Sequence, residues 1–147
     1  MVDGLSVNRD VTFPAPASQK SSPRRVLVVD DEQLIRWSLA EGLREAGSTV
    51  AEAENASSAL RSVREAVPDV IVLDYRMPDS NDLNLLASIR RLSPHSQVIL
   101  MTAFGTPDVV RAALDLGAFC VVSKPFEVDK LVSLVGQAHS STQGRTS

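Results

Sequence analysis

Four short runs of consecutive apolar residues punctuate the chain: Val26-Leu27-Val28-Val29, Val70-Ile71-Val72-Leu73, Val98-Ile99-Leu100-Met101 and Phe119-Cys120-Val121-Val122. Continuous rather than alternating hydrophobicity predicts strands covered on both faces, as in a parallel sheet. A weaker alternating piece, Ser48 to Ala53, fits an edge strand. Longer amphipathic stretches lie between these runs. Leu34, Trp37, Leu39 and Leu43 give the first an apolar stripe, and Gly47 after Ala46 marks its end. Asn55 suits the N-cap of the second, which Pro68 terminates. A third helix is predicted over Leu83 to Leu92, a fourth over Asp108 to Leu116 with Pro107 near its first turn, and a fifth over Glu127 to Ala138. A strand followed by a helix, five times over, predicts an α/β sandwich in which a five-stranded parallel sheet is doubly wound by helices.

Length and composition narrow this further. At roughly 150 residues per domain, 147 residues make one domain. Residues 1–23, rich in Pro, Ser and Ala, read as a flexible N-terminal arm, 24–139 as the folded domain, and the polar segment 140–147 as a flexible tail. A single cysteine excludes a disulfide framework, and no paired Cys/His spacing suggests zinc. No apolar run approaches the roughly 20 residues that cross a bilayer, and the N-terminus lacks a signal-peptide pattern. A net charge of −3 argues against nucleic acid as the main partner. The expectation is a cytoplasmic protein that does not enter a membrane.

In open α/β sheets ligands bind outside the carboxyl ends of the strands, so the residues that end each strand are the ones to inspect. The first ends in Asp30-Asp31, the third in Asp74, the fourth in Thr102 and the fifth, one residue on, in Lys124. Three carboxylates on one rim repel one another. A divalent cation relieves the conflict, and hard oxygen ligands that need not form a full cage suit Mg²⁺. Lys124 adds an ammonium for an incoming anion, and Thr102 a hydroxyl for one of its oxygens. Together they describe a phosphoryl-transfer site with Asp74 as nucleophile.

At these residues the sequence resembles the receiver domain of two-component response regulators, a family with a flavodoxin-like, CheY-like (βα)5 fold. The matching parts are Val28-Val29-Asp30-Asp31-Glu32, Asp74-Tyr75-Arg76-Met77-Pro78, Met101-Thr102-Ala103-Phe104-Gly105-Thr106 and Lys124-Pro125-Phe126. The fourth-strand segment and Leu34-Ile35-Arg36-Trp37-Ser38 look most like receivers of NtrC-type activators. The resemblance implies that Asp74 is the phosphoacceptor, charged by a histidine kinase or phosphotransfer protein. It implies that Asp31, Asp74 and the backbone carbonyl of Arg76 ligate Mg²⁺, with Asp30 acting mainly through a bound water. Lys124 would contact the phosphoryl group, through a peptide bond to Pro125 that is often cis in the family. Thr102 would close onto a phosphoryl oxygen after transfer, beside a small Ala103 that leaves the site accessible. Three positions depart from the family pattern. Val121 stands where the switch aromatic is usual, Asp82 where a glycine is, and Ser123 where the NtrC-type subfamily often has proline. The switch region is therefore Thr102, Ala103 and Val121, without the usual aromatic swing.

Simpler roles exist for each residue. Asp30-Asp31 could cap the following helix, and Asp74, Thr102 and Lys124 could each be ordinary turn residues. None of those roles explains all four together. His95 and His139 read as solvated, Cys120 as core, Trp37 as helix packing, and Arg90-Arg91 as a solvated helix end. The resulting expectation is a phosphorylation-operated switch, not a turnover enzyme, whose output passes through another protein, a homodimer or a further domain. The alternative is an adaptor that binds partners without phosphorylation. A phosphatase using an aspartyl-phosphate intermediate would carry a second Asp at position 76, which is Arg76, and a nucleotide binder would need a glycine-rich loop after the first strand.

Overall fold

The computed structural model describes residues 23–77, 79 and 83–146. Strands and helices alternate along it: β1 (Arg25–Val29), α1 (Gln33–Glu45), β2 (Thr49–Ala53), α2 (Ala56–Glu65), β3 (Val70–Asp74), α3 (Asn84–Leu92), β4 (Gln97–Thr102), α4 (Pro107–Asp115), β5 (Cys120–Ser123) and α5 (Val128–Thr146). The strands form one parallel sheet in the order β2-β1-β3-β4-β5. The order reverses at β1 and β3, which makes their carboxyl ends the crevice where this architecture binds ligands.

Alternation along each strand feeds two cores. Leu27, Val29, Ile71, Leu73, Val98 and Leu100 face one side, under Ala59 and Val63 of α2, Leu86 and Ile89 of α3 and Ala113 of α4. Val26, Val28, Val70, Val72, Ile99 and Met101 face the other, against Leu39 and Leu43 of α1 and Leu131, Val135 and Ala138 of α5. Strands buried on both faces have no polar positions to spare, and this is why β1, β3 and β4 read as unbroken apolar runs.

Local chemistry sets the helix ends. Asn55 accepts from the Ser58 amide at 2.8 Å, and the Ser58 hydroxyl accepts in return from the Asn55 amide at 3.3 Å, a capping box at the start of α2. Gly47 at φ 98° closes α1: its amide reaches the Arg44 carbonyl and that of Ser48 the Leu43 carbonyl, the paired bonds of a left-handed stop. Gly117 at φ 105° closes α4 in the same way.

Three expectations need correction. The α1 stripe turns further round than the spacing suggests: Leu39, Ala40 and Leu43 are buried, while Leu34 is 78% and Trp37 57% exposed. The core-facing arc runs through Ile35, Leu39 and Leu43, spaced four apart, and at about 100° per residue Leu34 and Trp37 fall on the opposite side of the helix. Trp37 is accordingly not a core-packing residue. The Phe119–Val122 run forms the second edge strand, and Cys120 and Val121 are only half-buried, because among the described residues no strand covers β5 on its outer side. Finally, α5 continues to Thr146, so the backbone of residues 140–146, expected as tail, is helical. No proline follows Pro125 to interrupt the ladder. The N-terminal arm lies outside the described residues, apart from Pro23. Among the described residues, no helix is long and apolar enough to cross a membrane.

Candidate phosphoryl-transfer site

Register brings the site together. Val29 pairs with Leu73, so Asp30, one residue beyond the strand, lies beside Asp74. Asp74 pairs with Met101 and Thr102 with Ser123, which sets Thr102 and Lys124 on the same rim. Carboxylate oxygens of Asp30, Asp31 and Asp74 all lie within 4.8 Å of one another. Asp30 is 0% and Asp74 7% exposed, while Asp31 is open to solvent. The Lys124 ammonium sits 3.1 Å from Asp30 Oδ2 and 3.2 Å from Asp74 Oδ1, with Glu32 Oε1 at 3.5 Å. The Lys124–Pro125 peptide bond is cis.

Asp30 does not cap α1. Its Oδ1 accepts from the amide of Glu32 at 2.8 Å, and Glu32 is itself the N-cap position, with no side-chain cap bond. The helix-capping explanation for the acidic pair therefore fails. Thr102 is buried, and its hydroxyl accepts from the Phe104 amide at 3.2 Å. A Cβ at Gly105 would stand 3.2 Å from Thr102 Cγ2, so glycine there lets the loop close tightly over this side chain. Ala103 is exposed beside it, and Arg76 directs its backbone amide to the Asp74 carboxylate. Val121 is half-buried against the core beneath α2, α3 and α4, Ser123 is exposed, and Asp82 lies outside the described residues.

Burial, with the nearby Asp30 charge, lifts the Asp74 carboxyl to about 6, against the pull of Lys124 and the Arg76 amide. Burial likewise raises Asp30, opposed by the Glu32 amide and Lys124. For Lys124 burial acts downward, but its bonds and attraction to Asp30 and Asp74 prevail and hold it above its ordinary value. One ammonium among this many carboxylates leaves a net negative, oxygen-only donor set. That chemistry fits a small hard cation such as Mg²⁺.

Two connections escaped the sequence. Asp79 accepts from the amides of Ala56 at 2.8 Å and Ser57 at 3.2 Å, capping α2 from the loop after β3. Arg36 donates to the Asp30 carbonyl at 2.7 Å and to Glu52 Oε1 at 3.2 Å. Both join residues remote in sequence or bond to backbone atoms, so no local spacing announces them. His95 is exposed, and His139 Nδ1 accepts from Arg24 at 3.4 Å, far from the acidic rim in the fold, so neither histidine joins the site.

Residues 26–136 match the response regulator receiver domain family. The chain belongs to that family. Over 118 residues this receiver is 41% identical to the DNA-binding transcriptional regulator NtrC of Escherichia coli (strain K12), a match covering 80% of this chain and 25% of that protein. The receiver thus spans about a quarter of the length of that relative. Among solved structures, it superposes on NtrX from Brucella abortus with a TM-score of 0.78 at 28% identity, covering 85% of this chain and 29% of that one. A CheY-like receiver domain protein from Methanospirillum hungatei JF-1 gives a TM-score of 0.81 at 23% identity, over 84% of this chain and 99% of its own, a likeness of fold.

Proposed function

We propose that this receiver is a Mg²⁺-dependent phosphoacceptor whose Asp74 takes a phosphoryl group from a histidine kinase or phosphotransfer protein. The observation that carries the reading is Lys124, held between Asp30 and Asp74 at 3.1 and 3.2 Å, with exposed Asp31 completing an acidic triad at the sheet's switch point. Asp74 Oδ would attack the phosphorus of a phosphohistidine, the P–N bond would break, and the imidazole would leave with the bonding pair and take up a proton. Asp31, Asp74 and the Arg76 carbonyl would hold Mg²⁺, with Asp30 acting through water because its own oxygens are already engaged. The ion would supply positive charge to offset the developing charge on the phosphoryl oxygens. Lys124 would move from Asp74 to a phosphoryl oxygen, and the Thr102 hydroxyl would leave the Phe104 amide to bond another.

The donor would approach over a groove of about 540 Å³ between α1 and the Pro125 loop, lined by Leu34, Ile35, Ser38, Ala103, Pro125 and Phe126. Its apolar floor, together with exposed Leu34 and Trp37, suits a helix of a phosphodonor protein. The protein is then a stoichiometric cytoplasmic switch, not a turnover enzyme, and its output passes to a partner, a second copy or an output domain. Half-buried Val121 motivates a second reading, an adaptor that ignores phosphorylation, because it removes the aromatic swing of the switch. Intact mass after incubation with Mg²⁺ and a small acyl-phosphate donor tests the first reading. A phosphoryl adduct that depends on Mg²⁺ and is absent in Asp74→Asn supports it. An adduct of equal yield in Asp74→Asn contradicts it.

A further inference from the structure

Every polar atom of Asp30 has a partner within the protein. Its amide donates to the Ala53 carbonyl at 3.1 Å, Oδ1 accepts from the Glu32 amide, Oδ2 accepts from Lys124, and its carbonyl accepts from Arg36 Nη1 at 2.7 Å. That carbonyl belongs to the peptide unit joining Asp30 to Asp31. Its orientation therefore sets the direction in which the Asp31 side chain leaves the rim. Arg36 is largely covered, and its Nε is fixed 3.2 Å from Glu52 Oε1 on edge strand β2. Glu52 is held in turn by Arg44, at 3.6 Å from its other oxygen. A guanidinium presents several donors in a rigid plane, so one side chain braces both the carbonyl and the carboxylate at fixed geometry.

We infer that Arg36, braced by Glu52, is a positioning residue that fixes the Asp30–Asp31 peptide unit and so presents Asp31 to the metal. The inference rests on the reading of Asp30, Asp31 and Asp74 as a Mg²⁺ site. Arg36 touches none of the carboxylates of that site. It acts through the backbone, as groups behind metal ligands commonly do. A competing role, simple damping of the negative field by a nearby cation, predicts different behaviour, and charge-preserving substitutions separate the two. Lysine keeps the charge but has one ammonium, which cannot hold the carbonyl and Glu52 in the same fork. Glu52→Asp likewise keeps its charge while shortening the reach to Arg36.

The test is isothermal titration of the full chain with MgCl2, for wild type, Arg36→Lys and Glu52→Asp, with folding checked by circular dichroism. Positioning predicts that Arg36→Lys weakens Mg²⁺ binding by about tenfold and that Glu52→Asp weakens it by less, both with helical signal and melting temperature retained. Equal affinity in wild type and in both variants overturns the inference and leaves the Mg²⁺ site standing. If Arg36→Lys does not fold, Glu52→Asp decides alone by the same criterion. No Mg²⁺ binding by folded wild type overturns the metal reading and the inference with it.

Discussion

At the scale of single residues, the site is governed by competition between burial and charge. Asp74 is nearly enclosed, and its carboxyl is raised to about 6 by burial and by Asp30. A raised carboxylate pKa means that the folded protein binds the proton more tightly than the unfolded chain does. This group therefore favours folding at low pH and loses that contribution as pH rises from about 4 through about 6. Asp74→Asn removes the buried charge while leaving Lys124 its contacts with Asp30 and Glu32. In metal-free buffer the variant should be more stable than wild type at pH 8, by roughly 1–3 kcal/mol. The difference should vanish below about pH 4, as followed by denaturant unfolding across pH. Lys124→Met should act in the opposite sense at pH 8. It leaves Asp30 and Asp74 facing each other without a cation, at a cost of about 3 kcal/mol. Added Mg²⁺ should restore much of that loss.

At the scale of elements, the sequence announces whatever is encoded locally. The apolar runs of β1, β3 and β4 announce themselves because each strand is covered on both sides, and Asn55 and Gly47 because caps and stops use fixed offsets. The rim residues Asp30, Asp31, Asp74, Thr102 and Lys124 are legible because parallel strands deliver their carboxyl ends to one edge. Features that depend on packing between elements stay hidden. Leu34 and Trp37 are apolar like Leu39 and Leu43, yet they lie on the outer face of α1 while Ile35 takes the core-facing place in the first turn. Whether a strand such as β5 lies at an edge is a property of strand order, which hydrophobicity alone does not fix. Gly42 of α1 is another such case: a Cβ there would come within 2.6 Å of Val128 Cγ1 on α5. Valine is stiff about χ1, so the helices must shift apart to accommodate it. Gly42→Ala should therefore destabilise the protein by roughly 1–3 kcal/mol, despite alanine's higher helix propensity, in a chemical-unfolding measurement. Asp79 ties the loop after β3 to the first turn of α2, and its carboxyl is held below the usual range by the Ala56 and Ser57 amides. Its contribution is present above the ordinary carboxylate pKa and is lost as pH falls. Asp79→Ala should accordingly lower the melting temperature at pH 7 and have no effect once wild-type Asp79 is protonated.

At the scale of the molecule, the sheet works as a frame that gathers charge at one end. The strand order places Asp30 beside Asp74 at the switch point, with two helical layers holding the strands in register. The open rim leaves Asp31 and Ala103 in contact with solvent, and an apolar groove runs from Lys124 towards α1. A cation that binds this folded rim and not the unfolded chain must stabilise the whole fold by mass action. Melting temperature should thus climb with Mg²⁺ concentration in wild type, and the slope should be largely lost in Asp31→Asn. In the proposed function the same frame limits what a phosphoryl group on Asp74 would move: with Val121 half-buried against the core, its effect would pass through Thr102 and the Gly105 loop to the surface beside β5. In the proposed reaction Asp74 is the residue that takes the phosphoryl group. The most direct measurement is to charge the protein with Mg²⁺ and an acyl-phosphate donor, reduce the product with borohydride, and map the modified residue by peptide mass. The predicted result is homoserine at position 74, absent when the metal is chelated. Modification confined to another carboxylate, or labelling of Asp74 unaffected by chelation, would contradict it.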